Sequence, residues 1–158
     1  MSHIYIIQLA TEPIDKETEG MTYCDYTEDP LFIERTDYGG DPVSEEDPDI
    51  LDAIARELEG VATLDKENLT ITFAAKDEIK TGYLSWLTAA FINHSEKLSK
   101  ESKSEWWKLH KDVENVFGID DLFYLNGYCH CAGRLLEDYI NGQLPQTVHI
   151  GNIHWAHC

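Results

Sequence analysis

Cys129-His130-Cys131, with His149, His154, His157 and Cys158 further along, is the densest set of nucleophilic and metal-binding side chains in the sequence. A zinc site could draw on Cys129 or Cys131 with His154 and His157. The spacing argues against it. Structural zinc sites favour cysteines with roughly two to four residues between them, and read on a helix, cysteines at i and i+2 point about 200° apart. The expectation is core thiols, surface histidines, and no metal or other cofactor. A cysteine nucleophile needs a base beside it. Cys24 has no histidine nearby in sequence, and Cys131 adjoins His130, but adjacent helical residues do not face each other. G-x-S-x-G, P-loop, G-x-G-x-x-G and H-E-x-x-H patterns are all missing.

Carboxylates are the second resource. The chain carries a formal net charge of −18. Between Glu12 and Asp52, 15 acids stand against only Lys16 and Arg35, a net of −13. Asp37-Tyr-Gly-Gly-Asp41 and Asp47-Pro-Asp49 lack the alternating acids, glycine and distal glutamate of an EF-hand loop. Such a field repels nucleic acid and anionic membrane and attracts basic surfaces. Two readings follow. The acids keep the protein dispersed, or they imitate a row of phosphates and occupy a nucleic-acid-binding groove. The second reading takes Glu12, Glu17, Glu19, Asp37, Asp41, Glu45, Glu46, Asp47 and Asp49 as the partner-binding residues. In composition the chain is similar to the small acidic inhibitors that phages and mobile elements direct against host nucleases, and to the acidic immunity proteins that neutralise nuclease toxins. No motif of either group is present.

Lys97–Lys111 is the one locally basic segment, with a net of +3. Trp106 and Trp107 lie inside it. Neighbouring helical residues point about 100° apart, so both rings are not expected to be buried together. Trp106, Trp107 and Lys108 are the candidate contact for a second copy of the chain, as a homodimer.

The elements that must position these residues follow from pattern. The length of 158 residues fits a single domain, 1–158. No apolar run approaches the ~20 residues of a membrane span, and the first residues have no basic stretch ahead of an apolar one, so a cytoplasmic protein with free thiols is expected. His3–Leu9 reads as a buried strand. Met21–Tyr26 and Leu31–Arg35 read as a hairpin about the turn Thr27-Glu-Asp-Pro30, and 36–47 as a loop. Asp47-Pro48 opens a helix with Ile50, Leu51, Ile54 and Leu58 on one face, stopped by Gly60. Val61–Leu64 and Leu69–Ala74 form a second hairpin. Asp77–Ile140 reads as a helical half. Its apolar stripe runs through Ile79, Tyr83, Trp86, Leu87, Ala90, Phe91, His94 and Leu98, then Trp106, Trp107, His110, Val113 and Phe117, and ends with Leu122, Leu125, Cys129, Ala132, Leu136 and Ile140. Ser102-Lys-Ser-Glu105 and Asp120-Asp121 supply the internal caps. Gln146–Ile150 is a late strand and 151–158 a tail. The fold class is therefore α+β: a small, mostly antiparallel sheet with an N-terminal strand and two hairpins, packed against three to four helices. The favoured function is an acidic cytosolic protein that binds and inhibits a basic, nucleic-acid-handling partner. The alternatives are a small enzyme of unknown reaction and a zinc-stabilised interaction module.

Overall fold

The computed structural model describes residues 3–43, 47–98 and 103–158. Among them, seven α-helices surround a mixed sheet of seven strands, an α+β fold. The order is β1 (His3–Ala10), α1 (Lys16–Glu19), α2 (Tyr23–Tyr26), α3 (Pro30–Arg35), β2 (Tyr38–Val43), α4 (Pro48–Glu57), β3 (Ala62–Asp65) and β4 (Thr70–Phe73). Then come α5 (Lys76–Leu98), α6 (Lys103–Glu114), a 3-10 turn at Val116–Gly118, β5 (Leu122–Leu125), β6 (Tyr128–His130), α7 (Ala132–Ile140) and β7 (Thr147–His157).

The strands lie in the order β3-β4-β7-β1-β5-β6. Among the described strands only β1 and β5 pair in parallel. β7 has β1 along one side, and on its other side β4 takes its first residues and β2 its last. The segment expected to end in a tail is thus the long central strand of the sheet. Val148, Ile150, Ile153 and Ala156 are all buried, but Gly151, Asn152, His154 and His157 interrupt the apolar alternation and hide the strand in sequence.

That interruption is a bulge. The register of β1 against β7 shifts between Ile7 and Leu9, and Gln8 fastens the shifted backbone. Its Oε1 accepts from Met21 N at 2.8 Å and Asn152 N at 3.0 Å, and its Nε2 donates to Glu19 O at 2.8 Å. A Cβ at Gly151 would run into the Gln8 side chain, so the bulge needs glycine.

Two apolar clusters lie on the two sheet faces, as alternation along β1 and β5 requires. Ile4, Ile6 and Leu122 meet Met21, Tyr26 and Phe32 of the α1–α3 region. Ile7, Leu9, Phe123 and Leu125 meet Leu51 and Ile54 of α4, Leu58 at its C-cap, Ile79 of α5, and Leu135, Leu136 and Tyr139 of α7.

Several expectations are corrected. The expected hairpin at 21–35 is two short helices, because Thr22 and Asp25 form a capping box and Asp29-Pro30 is an N-cap followed by proline. The loop at 36–47 contains β2, a strand at the sheet edge, where a proline such as Pro42 is tolerated. The last helix starts at Ala132, not at Asp120-Asp121. Asn126 (φ 53) and Gly127 (φ 87) make the β5–β6 hairpin turn, the Asn-Gly signal of a tight turn. The helical half is therefore split by two strands, and seven helices stand where three to four are expected. Phe91 is 55% exposed and not in the core. By contrast, α4 with its Asp47 cap and the β3–β4 hairpin stand as expected. The proposed Ser102 cap lies outside the described residues.

Candidate functional site

The acids between Glu12 and Asp52 divide into two kinds. Four hold helix ends. Asp15 accepts from Glu17 N, Asp25 from Thr22 N and Oγ1, Asp29 from Leu31 N and Phe32 N, and Asp47 from Asp49 N. The other oxygen of Asp29 accepts from Cys129 N at 2.9 Å, fastening α3 to β6. Glu19 Oε2 accepts from Asp15 N, and Asp52 pairs with Lys66. Among the described residues, Glu12, Glu17, Glu28, Glu34, Asp37 and Asp49 cap no helix, and all are exposed.

Placement follows the fold. Glu12, Glu17, Glu19, Glu28, Glu34 and Asp37 belong to the α1–α3 layer over one sheet face. Asp41 belongs to the edge strand β2. Asp47 and Asp49 start α4, which packs on the other face. The acidic segment therefore runs across one face and around the β2 edge. Glu45 and Glu46 lie outside the described residues.

The α1–α3 layer is anchored by polar groups as much as by apolar ones. Tyr26 is fully buried, its hydroxyl 2.6 Å from His154 Nδ1 and its ring 5.0 Å from Phe32. Asn152 Nδ2 donates to Met21 O at 3.1 Å. Helices of four to six residues have little stability of their own, and these anchors fix the carboxylates they carry.

The Cys/His candidates separate. Cys129 is on β6 and His154 and His157 are on β7, with β5 and β1 between them. Three strand spacings are about 14 Å, too far for a shared metal. The Cys129 thiol is pushed up to about 12 by burial and by nearby Asp29. Cys131 sits at the N-terminus of α7, in the wall of an apolar groove with Ile79, Tyr83 and Val116. The helical argument against pairing Cys129 with Cys131 is corrected, since one residue is in a strand and the other is an N-cap. Among the described residues no three His, Cys, Asp or Glu side chains gather as a metal site. Trp106 and Trp107 are 58% and 52% exposed and Lys108 is exposed, all on α6. Trp107 borders a cleft with Glu34, Arg35, Lys111 and Asn115, and the Lys111 ammonium lies 5.7 Å from its ring centre.

One cluster escapes the sequence reading. Glu57 Oε1 accepts from Asp120 N and Asp121 N, and Asp121 Oδ1 accepts from Tyr5 N at 2.7 Å. Burial, then the hydrogen bond and charge of Glu57, hold the Asp121 proton well above the usual carboxylate range. The pair ties the end of α4 to β1 and β5. Asp120-Asp121 resembles a helix cap in sequence, which disguises it. Comparison with protein-family models, curated proteins and solved structures finds no match to this chain, and among the described residues no helix is long and apolar enough to cross a membrane.

Proposed function

We propose that this protein is an acidic binding and inhibitor protein that engages a basic, nucleic-acid-handling partner through the carboxylates of the α1–α3 layer and the adjoining β2–α4 edge. One observation carries the reading. Glu17 and Glu34 lie in short helices anchored to the sheet and Glu12, Glu28 and Asp37 in the turns that flank them, all exposed, in a stretch whose only bases are Lys16 and Arg35. Charge held on an ordered scaffold can be complementary to a groove in a way a flexible acidic tail is not, and it steers encounter. The partner accordingly presents a basic groove built for phosphates.

The test is a pull-down from source cells at low salt, followed by elution with excess duplex DNA. The reading expects a basic partner that DNA displaces. Partners that are not basic, or that stay bound while holding DNA, contradict mimicry.

A further inference from the structure

Apolar residues lie on every side of α5. Ile79, Tyr83, Trp86 and Ala90 face the body of the protein, where Ile79 and Ala90 are buried and Tyr83 and Trp86 half-buried. About 100° around the helix lies a second seam, Leu84, Leu87 and Phe91, at spacings of three and four. Leu84 is 65% exposed, Phe91 55%, and neighbouring Ile92 67%. A helix that is apolar all round is a buried helix, yet among the described residues only one side of α5 is covered.

The charge pattern says what covers the other side. Thr81–Ser95 contains no Asp, Glu, Lys or Arg, in a chain of net −18. Two copies repel over most of their surfaces. The neutral seam is where they can meet without bringing like charges together. Its outer face alternates the large residues with Ser85, Thr88 and Ala89, all exposed, and small residues let helix axes approach. The spacing is also self-complementary. Antiparallel pairing about a twofold axis between Leu87 and Thr88 sets Leu84 of each copy opposite Phe91 of the other, as an isologous contact requires. Area supports the same occupant. Leu84, Phe91 and Ile92, with the exposed Ser85, Thr88 and Ala89 between them, expose on the order of 500 Å² per copy, and two copies together approach the roughly 1,000 Å² of a specific interface.

We infer that the outer seam of α5 is the dimer interface of this protein, with α5 pairing antiparallel to the α5 of a second copy. The inference does not rest on the acidic surface, and salt separates the two. Screening relieves repulsion between two −18 chains, so the dimer tightens as salt rises, whereas a complex made through the acids weakens. The test is sedimentation velocity from about 1 μM to about 1 mM chain, a range that brackets a modest interface, for wild type, Leu84→Glu and Phe91→Glu. The expected result is a wild-type dimer strengthened by salt, and at least a ~100-fold rise in dissociation constant in each variant. Melting temperatures should stay within a few degrees of wild type, since both side chains are exposed. A wild-type chain that stays monomeric throughout, a dimer indifferent to both glutamates, or one that salt dissolves would overturn the inference.

Discussion

The two faces of the sheet are covered by different means. On one, α4, α5 and α7 press apolar side chains onto β1 and β5, with Ile54, Phe123 and Ile7 fully or almost fully buried. On the other, three helices of four to six residues lie over a smaller apolar cluster and are held by Gln8, Tyr26–His154, Asn152 and Asp29. Longer helices draw stability from an apolar stripe, and very short ones from caps and side-chain anchors. The second device leaves most side chains on the outer surface unoccupied by packing, and in this protein those positions carry acid. The face that contributes less to the core is the one with surface to offer a partner.

The largest effect that separates the faces comes from emptying each core. Phe123→Ala and Phe32→Ala should each cost about 3–5 kcal/mol, the usual figure for a buried phenylalanine. The consequences should differ. Phe123 faces the main core, so its loss should raise amide exchange throughout the sheet and α7. Phe32 holds only the acidic layer, so exchange should rise in α1–α3 while β7 and α7 stay protected. Equal exchange patterns in the two variants would remove the distinction.

Next in size is the division among the acids themselves. Asp29→Ala removes an N-cap and unpairs the Cys129 N–H, and should cost about 1–3 kcal/mol in chemical unfolding. Glu28→Ala, next to it in sequence, should stay within about 0.5 kcal/mol. Equal costs would mean that capping and display are not separable roles.

The smallest expected effect concerns Asp121, on the main-core side. A carboxyl whose pKa is raised on folding contributes stability that is present at low pH and lost as pH rises through the folded-state value. Asp121→Asn keeps an acceptor for Tyr5 N and a donor for Glu57 but does not titrate. Wild type should therefore lose stability relative to the variant as pH rises from the ordinary carboxylate range near pH 4, read from melting temperatures of both proteins across pH. A constant difference at every pH would mean that Asp121 and Glu57 do not share a proton in the folded chain.

Legibility in the sequence followed the same division. Where an apolar stripe does the work, as in α4, the first half of α5 and the β3–β4 hairpin, periodicity and caps place the element correctly. Where polar side chains do it, periodicity misleads. Met21–Tyr26 is as rich in aromatic residues as a strand, yet Tyr23 and Tyr26, three apart as on a helix face, sit in a four-residue helix closed by Thr22 and Asp25. The Asp-Pro signal that identifies α4 occurs again at Asp29-Pro30 and identifies α3 equally well. Leu122, Leu125 and Cys129 keep helical spacing, and only Asn126-Gly127 betrays the hairpin between them. Gln8 and His154 are legible only once β7 is known to be central, because the pairs Gln8–Asn152 and Tyr26–His154 span 144 and 128 residues. The acidic field was visible in composition, but its division into caps and displayed carboxylates needs the fold.

The central claim is that the displayed acids form a working surface and not merely a solubilising one. The direct measurement is calorimetric binding of the recovered partner, at low and high salt, to wild type and to a triple variant, Glu12→Lys, Glu28→Lys and Glu34→Lys. All three side chains are exposed and cap no helix, so the fold should be retained to within about 1–2 kcal/mol. The account predicts tight wild-type binding that weakens steeply with salt, and loss of binding in the variant with its melting temperature nearly unchanged. A complex that ignores both salt and the three reversals would contradict it, and would leave the charge of this layer to solubility alone.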